Sequence, residues 1–354
     1  FFYRQYTYMT GFDRGIITDQ IVHVNLQDVG YEIFKNEIQN NSDIIGISAS
    51  SDIPTFGGWG GTRIKTEDMD EVIRSSSYSI DGDFIENFGL TLIAGRTFSD
   101  EFSTDREDAV ILNEKAVEVL GFVSPEEAIG KLVSVDINDQ NTNGHPSSVV
   151  GVLRDFNFRS LENTIGPLAL RYKPDQFIYA NVRFLPGKKE EIRSYLINIW
   201  EKLDGVHALE CAFLDDLKEE EDSVYGGAVI IAGWACGFVV FIALLGLFGM
   251  TTYSTEIRVK EIGIRKVLGA GVTGIIMELS KDYMKLILYS CAVAVPLAWL
   301  LSSLMLQIFA YRVDLSVWIF ATGVLLILGL ALVTIGTQTV KAAWANPVES
   351  IREE

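Results

Sequence analysis

Two kinds of hydrophobic pattern divide the chain. Up to about residue 220, short apolar runs alternate with polar breaks, and beyond it three long stretches carry no charge at all. In the first part IVHVNL (Ile21–Leu26), DAVILN (Asp108–Asn113), VVGVL (Val149–Leu153) and QFIYANVRF (Gln176–Phe184) are rich in β-branched and aromatic residues and predict strands. Helices are predicted over Tyr31–Asn40, Asn113–Leu120 and Lys188–Leu203. In the last, which follows the breaker Pro186-Gly187, Ile192, Tyr195, Leu196 and Trp200 recur at helical spacing. This is an α+β or α/β domain, taken here as α+β, large enough to bury a core of its own. The uncharged stretches are Ser223–Thr255, Leu286–Tyr311 and Leu315–Val340. Each holds the roughly 20 residues that cross a bilayer, so an all-α membrane domain of three helices follows, with Pro296 kinking the second.

Charge sharpens this division. The 354 residues carry a net −18, and residues 251 to 354, with nine basic and eight acidic side chains, contribute +1, so residues 1 to 250 carry −19. So acidic a domain repels phosphate backbones, which argues against a nucleic-acid partner. Arg258, Lys260, Arg265, Lys266 and Lys281 crowd the loop between the first two uncharged runs, whereas the next loop has Arg312 alone. The basic loop is therefore cytoplasmic and the acidic domain lies outside, with Lys341 and Arg352 placing the C-terminus inside. The chain begins Phe1-Phe2-Tyr3-Arg4-Gln5, with neither Met nor a signal peptide, so a further membrane helix is expected ahead of it.

Little in this sequence promises chemistry. Cys211 lies in the acidic part, Cys236 and Cys291 in apolar runs, and the histidines are His23, His145 and His207, so neither a disulfide nor a zinc site is expected. Gly57-Gly58-Trp59-Gly60-Gly61 lacks the Lys-Ser/Thr of a phosphate-binding loop and reads as a loop after Pro54. Asp139-Gln140-Asn141-Thr142-Asn143-Gly144 imitates the start of a calcium loop, but Val150 stands where the bidentate carboxylate belongs, so it reads as a turn. The three uncharged runs offer no Asp, Glu, His, Lys or Arg for a proton or ion path, and their Ser290, Ser302, Ser303 and Gln307 suit helix packing. No catalytic residue, metal or cofactor is assigned. Phe156, Phe158 and Leu161 suit either core or a ligand surface.

The charged island Thr252–Lys285 is the exception. In EIRVKEIGIRKVLG, Glu256/Lys260 and Glu261/Arg265 are pairs four apart on a helix, and Ile257, Ile264 and Leu268 form one apolar stripe. A mere basic anchor would explain the charge. It would not explain Gly263 in mid-helix or the stop at Gly269-Ala270-Gly271, which turns the chain toward the next span.

RVKEIGIRKVLGA (Arg258–Ala270) resembles the signature of the FtsX-like permease domain of MacB-type ABC transporters, and WANPVESIREE (Trp344–Glu354) resembles that family's tail. GLTLIAGRTFSD (Gly89–Asp100), AVILNEKAVEVLG (Ala109–Gly121), EEAIGKLVSV and VVGVLRDFNFRSLENTIGPLAL (Val149–Leu170) are similar to the family's extracytoplasmic domain. The family often has a small polar residue where this chain has Gly271. The resemblance implies a MacB-like extracytoplasmic domain over residues 1–222 and a permease domain over 223–354. Its spans would lie near 228–250, 286–310 and 316–339, with a fourth ahead of the chain and a cytoplasmic coupling loop over 252–285. It also implies a bacterial inner-membrane protein partnered by a separate cytoplasmic ABC ATPase, a second permease copy or tandem half, membrane lipid and a periplasmic adaptor. Glu256, Arg258, Lys260, Glu261, Ile262, Gly263, Arg265 and Lys266 would form the helix that docks on the ATPase. The implied function is export of a hydrophobic or amphipathic substrate, driven by ATP-coupled movement of the external domain. The alternative is a non-transporting relay that activates an envelope enzyme or sensor.

Overall fold

Alternation broken by turns becomes sheet, and uncharged runs become long helix. The computed structural model describes residues 2–344 apart from 57–59, 138–140, 142, 161, 259–260, 262–263, 265–267, 269–270 and 308. The chain starts with α1 (Phe2–Thr10), β1 (Ile21–Asn25), α2 (Tyr31–Ile38) and β2 (Ile44–Ser50). Next come β3 (Gly61–Thr66), β4 (Ile73–Ser79), α3 (Phe84–Asn87), β5 (Leu92–Gly95), α4 (Asp105–Asp108), β6 (Ala109–Asn113), α5 (Glu114–Val119) and α6 (Pro125–Ala128). β7 (Leu132–Val135), β8 (His145–Leu153), β9 (Leu168–Arg171), β10 (Tyr179–Phe184), α7 (Lys189–Leu203) and β11 (Cys211–Phe213) complete the strand-rich part. Three long helices close the chain: α8 (Leu214–Ile257), α9 (Val272–Leu306) and α10 (Val317–Trp344). The predicted strands correspond to β1, β6, β8 and β10, and the predicted helices to α2, α5 and α7.

The chain divides into two units, Met9–Ser223 and the remainder, Phe1–Tyr8 with Val224–Glu354. Within the first unit, β11, β1, β10 and β2 lie in that order in one sheet, every neighbour antiparallel. With α2 between β1 and β2 and α7 between β10 and β11, this is the split β-α-β arrangement of a ferredoxin-like fold. β3 to β9 are an insertion between its second and third strands. They form a seven-stranded sheet, β5-β8-β6-β9-β4-β3-β7, in which β8 also pairs with β7, so the sheet closes on itself into a small barrel.

Each layer has its own core, and side-chain alternation explains the sorting. On β1, Val22 and Val24 face α2 and α7 with Phe34, Ile38, Leu196 and Trp200. Ile21 faces the other way, into a cluster with Phe84, Phe88, Phe156, Phe158 and Leu170. Phe156 and Phe158 are thus core, at 3% and 2% exposure, and Leu161 lies outside the described residues. The barrel interior is filled by Ile64, Val110, Leu112, Val133, Val149 and Val152. Two glycines let its strands cross: Gly95 has φ +77°, and a Cβ there would sit 2.2 Å from the Val150 carbonyl. A Cβ on Gly151 would sit 2.4 Å from the Arg96 carbonyl.

Asn113, fully buried at the end of β6, fixes three segments at once. Its side-chain oxygen accepts from the Ala116 N–H, which caps α5, and from the Leu168 N–H at the start of β9. Its amide donates to Asp155 Oδ1 at 2.7 Å and to the Gly166 carbonyl at 2.9 Å. All its polar capacity is satisfied locally, so Asn113→Ala strands two N–H groups as well as removing the cap. We expect a loss of about 2 kcal/mol in urea unfolding, and a loss under roughly 0.5 kcal/mol would contradict this account.

Nearby, Asp105, with its carboxylate 1% exposed, takes a bidentate grip from Arg96 at 2.6 and 2.8 Å and a third bond from the Ser99 N–H. At the other end of the unit, Arg14 reaches Glu221 on the first turns of α8 at 2.7 Å, and its guanidinium lies 5.0 Å over Phe56. The acidic run Glu219–Asp222 is therefore partly structural.

The Asp139–Gly144 stretch lies in the β7–β8 connection, where Asp139, Gln140 and Thr142 lie outside the described residues. Gly144 has φ +69° and donates its N–H back to the Asn141 side chain at 3.1 Å, as a turn requires. Gly57, Gly58 and Trp59 lie outside the described residues. The three cysteines are free.

Candidate functional site

α8, α9 and α10 each contain a stretch long and apolar enough to cross a membrane. Their large apolar side chains point outward: Trp234, Phe238 and Leu325 are 77%, 65% and 68% exposed. In water such a surface would be costly; in hydrocarbon it is the expected outside of a bundle. Hydroxyls within the spans are satisfied along their own helices, Thr322 Oγ1 donating to the Trp318 carbonyl and Ser290 Oγ to that of Leu286. Pro296 lies inside α9.

At the basic-loop end the three helices are tied by polar contacts. Tyr283 of α9 donates to the Met250 carbonyl of α8 at 3.2 Å, and Thr252 of α8 donates to Gln338 Oε1 of α10 at 3.4 Å. Thr251 and Thr255, 1% and 7% exposed, bond back to carbonyls one turn earlier, and Ile335 of α10 is fully buried. A tie of this kind is hard to find in sequence, because a lone hydroxyl in an apolar run looks like packing. The available signal is that Thr252, Tyr283 and Gln338 all lie within one turn of a hydrophobic border.

The island residues hang from that knot. The sequence suggests a separate helix beginning at Glu256; instead Glu256 and Ile257 end α8 and Arg258 is a turn, its N–H bonded to the Thr255 carbonyl at 3.2 Å. Thr251–Glu256 is low in intrinsic helix propensity but continues the span's helix, with Thr251, Thr252 and Thr255 bonding back to carbonyls one turn earlier. Glu256, Arg258 and Glu261 are exposed, and Glu261 and Ile264 are helical. Ile257, Ile264 and Leu268 are exposed at 65%, 56% and 81%, so the described part of the island offers apolar as well as charged surface. Lys260, Ile262, Gly263, Arg265 and Lys266 lie outside the described residues. Gly271 occupies the N-cap of α9 with extended backbone and no side-chain cap, as its lack of a side chain dictates.

The Met9–Ser223 unit has its own unusual groups, on the face of the four-stranded sheet turned from α2 and α7. His23 on β1 is 1% exposed, stacks on Phe88 at 6.1 Å and stands opposite Asn181 of β10. Burial lowers its pKa to about 4, with Asn181 opposing. Asn181 and Asn87 bind Ser48 and Ser50 of β2, so this face carries a polar layer inside the fold. Asp81, 6% exposed, accepts from the Tyr31 hydroxyl at 2.6 Å. Burial raises its pKa to about 7; the Tyr31 bond works against that and Asp83 adds to it. Among the described residues no group of acidic, Cys or His side chains is arranged to hold a metal ion.

Residues 235–347 match the FtsX-like permease C-terminal family, a region that contains most of α8, the island, α9 and α10. The chain is 24% identical over 276 residues to the uncharacterized ABC transporter permease YknZ of Bacillus subtilis (strain 168), covering 75% of this chain and 66% of that protein. The chain thus spans just under two thirds of that relative. Among solved structures, the periplasmic region of MacB from Actinobacillus actinomycetemcomitans is similar at TM-score 0.41 and 15% identity, covering 59% of this chain and 95% of that one. The extracellular domain of the noncanonic ABC-type transporter YknZ from Gram-positive bacteria is similar at TM-score 0.39 and 15% identity, covering 54% and 99%. A strand-rich domain thus precedes three apolar helices, and residues 235–347, which include the loop between the first two of them, carry an FtsX-like permease C-terminal domain.

Proposed function

We propose that the chain is the permease subunit of an ABC system in which a separate cytoplasmic ATPase drives movement of an external domain, residues 1–222, through the membrane part, residues 223–354. The observation that carries this reading is the exposed, mixed charged and apolar surface of the island, hung from a polar tie among three helices whose apolar runs contain no Asp, Glu, His, Lys or Arg. A solute path needs polar lining; a mechanical link needs only a docking surface and stiff connections. Residues 1–354 contain no phosphate-binding loop, and in this reading the nucleotide is hydrolysed by the separate ATPase. The unit acts as a homodimer or beside a tandem partner in a bacterial inner membrane, and the work exports a hydrophobic or amphipathic substrate with an adaptor outside.

The test is charge exchange in the loop. Glu261→Lys combined with Arg265→Glu is expected to return the ATPase rate of the reconstituted pair to that of the ATPase alone, while the external domain unfolds at its normal denaturant midpoint. Full stimulation by the exchanged variant would overturn the docking role. Stimulation lost together with the external domain's stability would mean that the variant fails for want of folding, and Glu261→Gln with Arg265→Gln then decides it.

A further inference from the structure

A second knot lies at the opposite end of the membrane helices. The connection from α9 to α10 alternates half-buried Tyr311 and Val313 with exposed Arg312 and Asp314, as an extended strand would. Among the described residues no strand pairs with it. Instead Gln5 of α1, 4% exposed, donates its amide to the Tyr311 carbonyl at 2.8 Å and accepts the Val313 N–H at 3.0 Å. The carbonyl of one residue and the N–H two places on lie on the same edge of an extended chain, so this primary amide fills the place that the N–H and C=O of one residue on a parallel neighbouring strand would take.

Two further contacts close a triangle. Tyr6, next to Gln5, lies so close to Gly226 of α8 that a Cβ there would touch its ring at 3.5 Å. Tyr225, next to Gly226, meets the ring of Phe309 in the α9–α10 connection at 6.4 Å. α1, the outer part of α8 and the connection thus hold one another pairwise. The chain also passes between its two units only within α1 and within α8, each time inside a helix.

We propose that Gln5 is a positioning residue that clamps the α9–α10 connection to α1, so that displacement of the outer ends of α9 and α10 is carried into the chain leading to the external unit. The proposal rests on the mechanical reading above. It makes Gln5 specific in chemistry: glutamate keeps the acceptor but loses the donor and adds a charge, and methionine keeps the length but loses both bonds.

Hydrogen exchange on the full chain in detergent micelles tests the clamp without any ATPase. In the unchanged protein the Val313 amide is expected to be protected. Gln5→Met should exchange it roughly tenfold faster, and Gln5→Glu should at least match that, with residues 317–338 unchanged as the control for folding. Equal protection of Val313 in all three proteins overturns the clamp. The same measurement on the complex with its ATPase, with and without ATP, tests the transmission. A nucleotide-dependent change in residues 9–223 that disappears in Gln5→Met supports it, and one that persists undiminished overturns it. Absence of any such change in the unchanged protein defeats the mechanical reading instead, while the exchange rate of Val313 still decides the clamp.

Discussion

Replacing Asp81 by asparagine is expected to turn a nearly level stability profile between pH 4 and pH 6.5 into one that climbs with pH. His23 has a native pKa of about 4 against 6.5 unfolded. Through that window the unfolded chain binds a proton that the native one refuses, so this group's contribution is complete above pH 6.5. It is lost on the way down to pH 4, on the order of 3 kcal/mol in all. Asp81 works the other way. Its native pKa of about 7 against 3.8 unfolded means that the native state holds a proton which the unfolded state has released. Stability from this group is greatest below pH 3.8 and falls as pH rises to 7, by on the order of 4 kcal/mol. The two slopes overlap and largely cancel. Asp81→Asn removes the falling one, so the 9–223 segment should gain on the order of 3 kcal/mol between pH 4 and 6.5 relative to the parent's profile, read from urea midpoints. His23→Leu should give the mirror image. Parallel profiles for parent and Asp81→Asn would show that Asp81 ionises freely in the folded state.

The second large effect lies in the core behind the four-stranded sheet. Trp200→Ala should cost about 3–5 kcal/mol. Trp200 is 1% exposed, meets Phe34 edge-on at 6.1 Å and donates its indole N–H to the His207 carbonyl at 3.0 Å. It joins α7 to α2 and also holds the turn that feeds β11, so truncation opens a cavity and releases the His207 carbonyl together. Trp200→Phe, which keeps part of the volume and loses the bond, should fall between. Because the barrel fills its interior with a separate set of side chains, exchange should rise first in β1, β2, β10 and β11. An alanine variant within 1 kcal/mol of the parent would mean that the site collapses around the loss.

What could be read from the residues alone followed from contrast. β6 and β8 are apolar runs between polar breaks, and α7 repeats Ile192, Leu196 and Trp200 on one face, so both signals stand out. β3, GTRIKT, and β4, IRSSSYS, did not: one face of each meets the barrel interior through small or single apolar side chains, and Arg63 and Arg74 stand opposite one another on the other face. The insertion was hidden for a different reason. β2 pairs with β10 through Ser50 and Tyr179, and periodicity carries no information about partners so far apart. At the site, charge pointed to Glu256, Arg258 and Glu261, while Thr252, Tyr283 and Gln338 stayed hidden, since each is meaningful only beside a residue of another helix.

The pairing of β1 with β11 decides how the four-stranded sheet answers a pull. Val22 lies opposite Phe213 and Val24 opposite Cys211, so the end of β1 that receives the chain from α1 lies beside the end of β11 that hands it to α8. Tension applied through those two leads acts on the same end of the pair. It would unzip the strands one hydrogen-bonded pair at a time, whereas leads at opposite ends would have set every bond against the force at once. A three-residue strand opened in that way offers little resistance by itself. The Arg14–Glu221 ion pair, joining the two leads just ahead of the first pair, takes the strain before the sheet does.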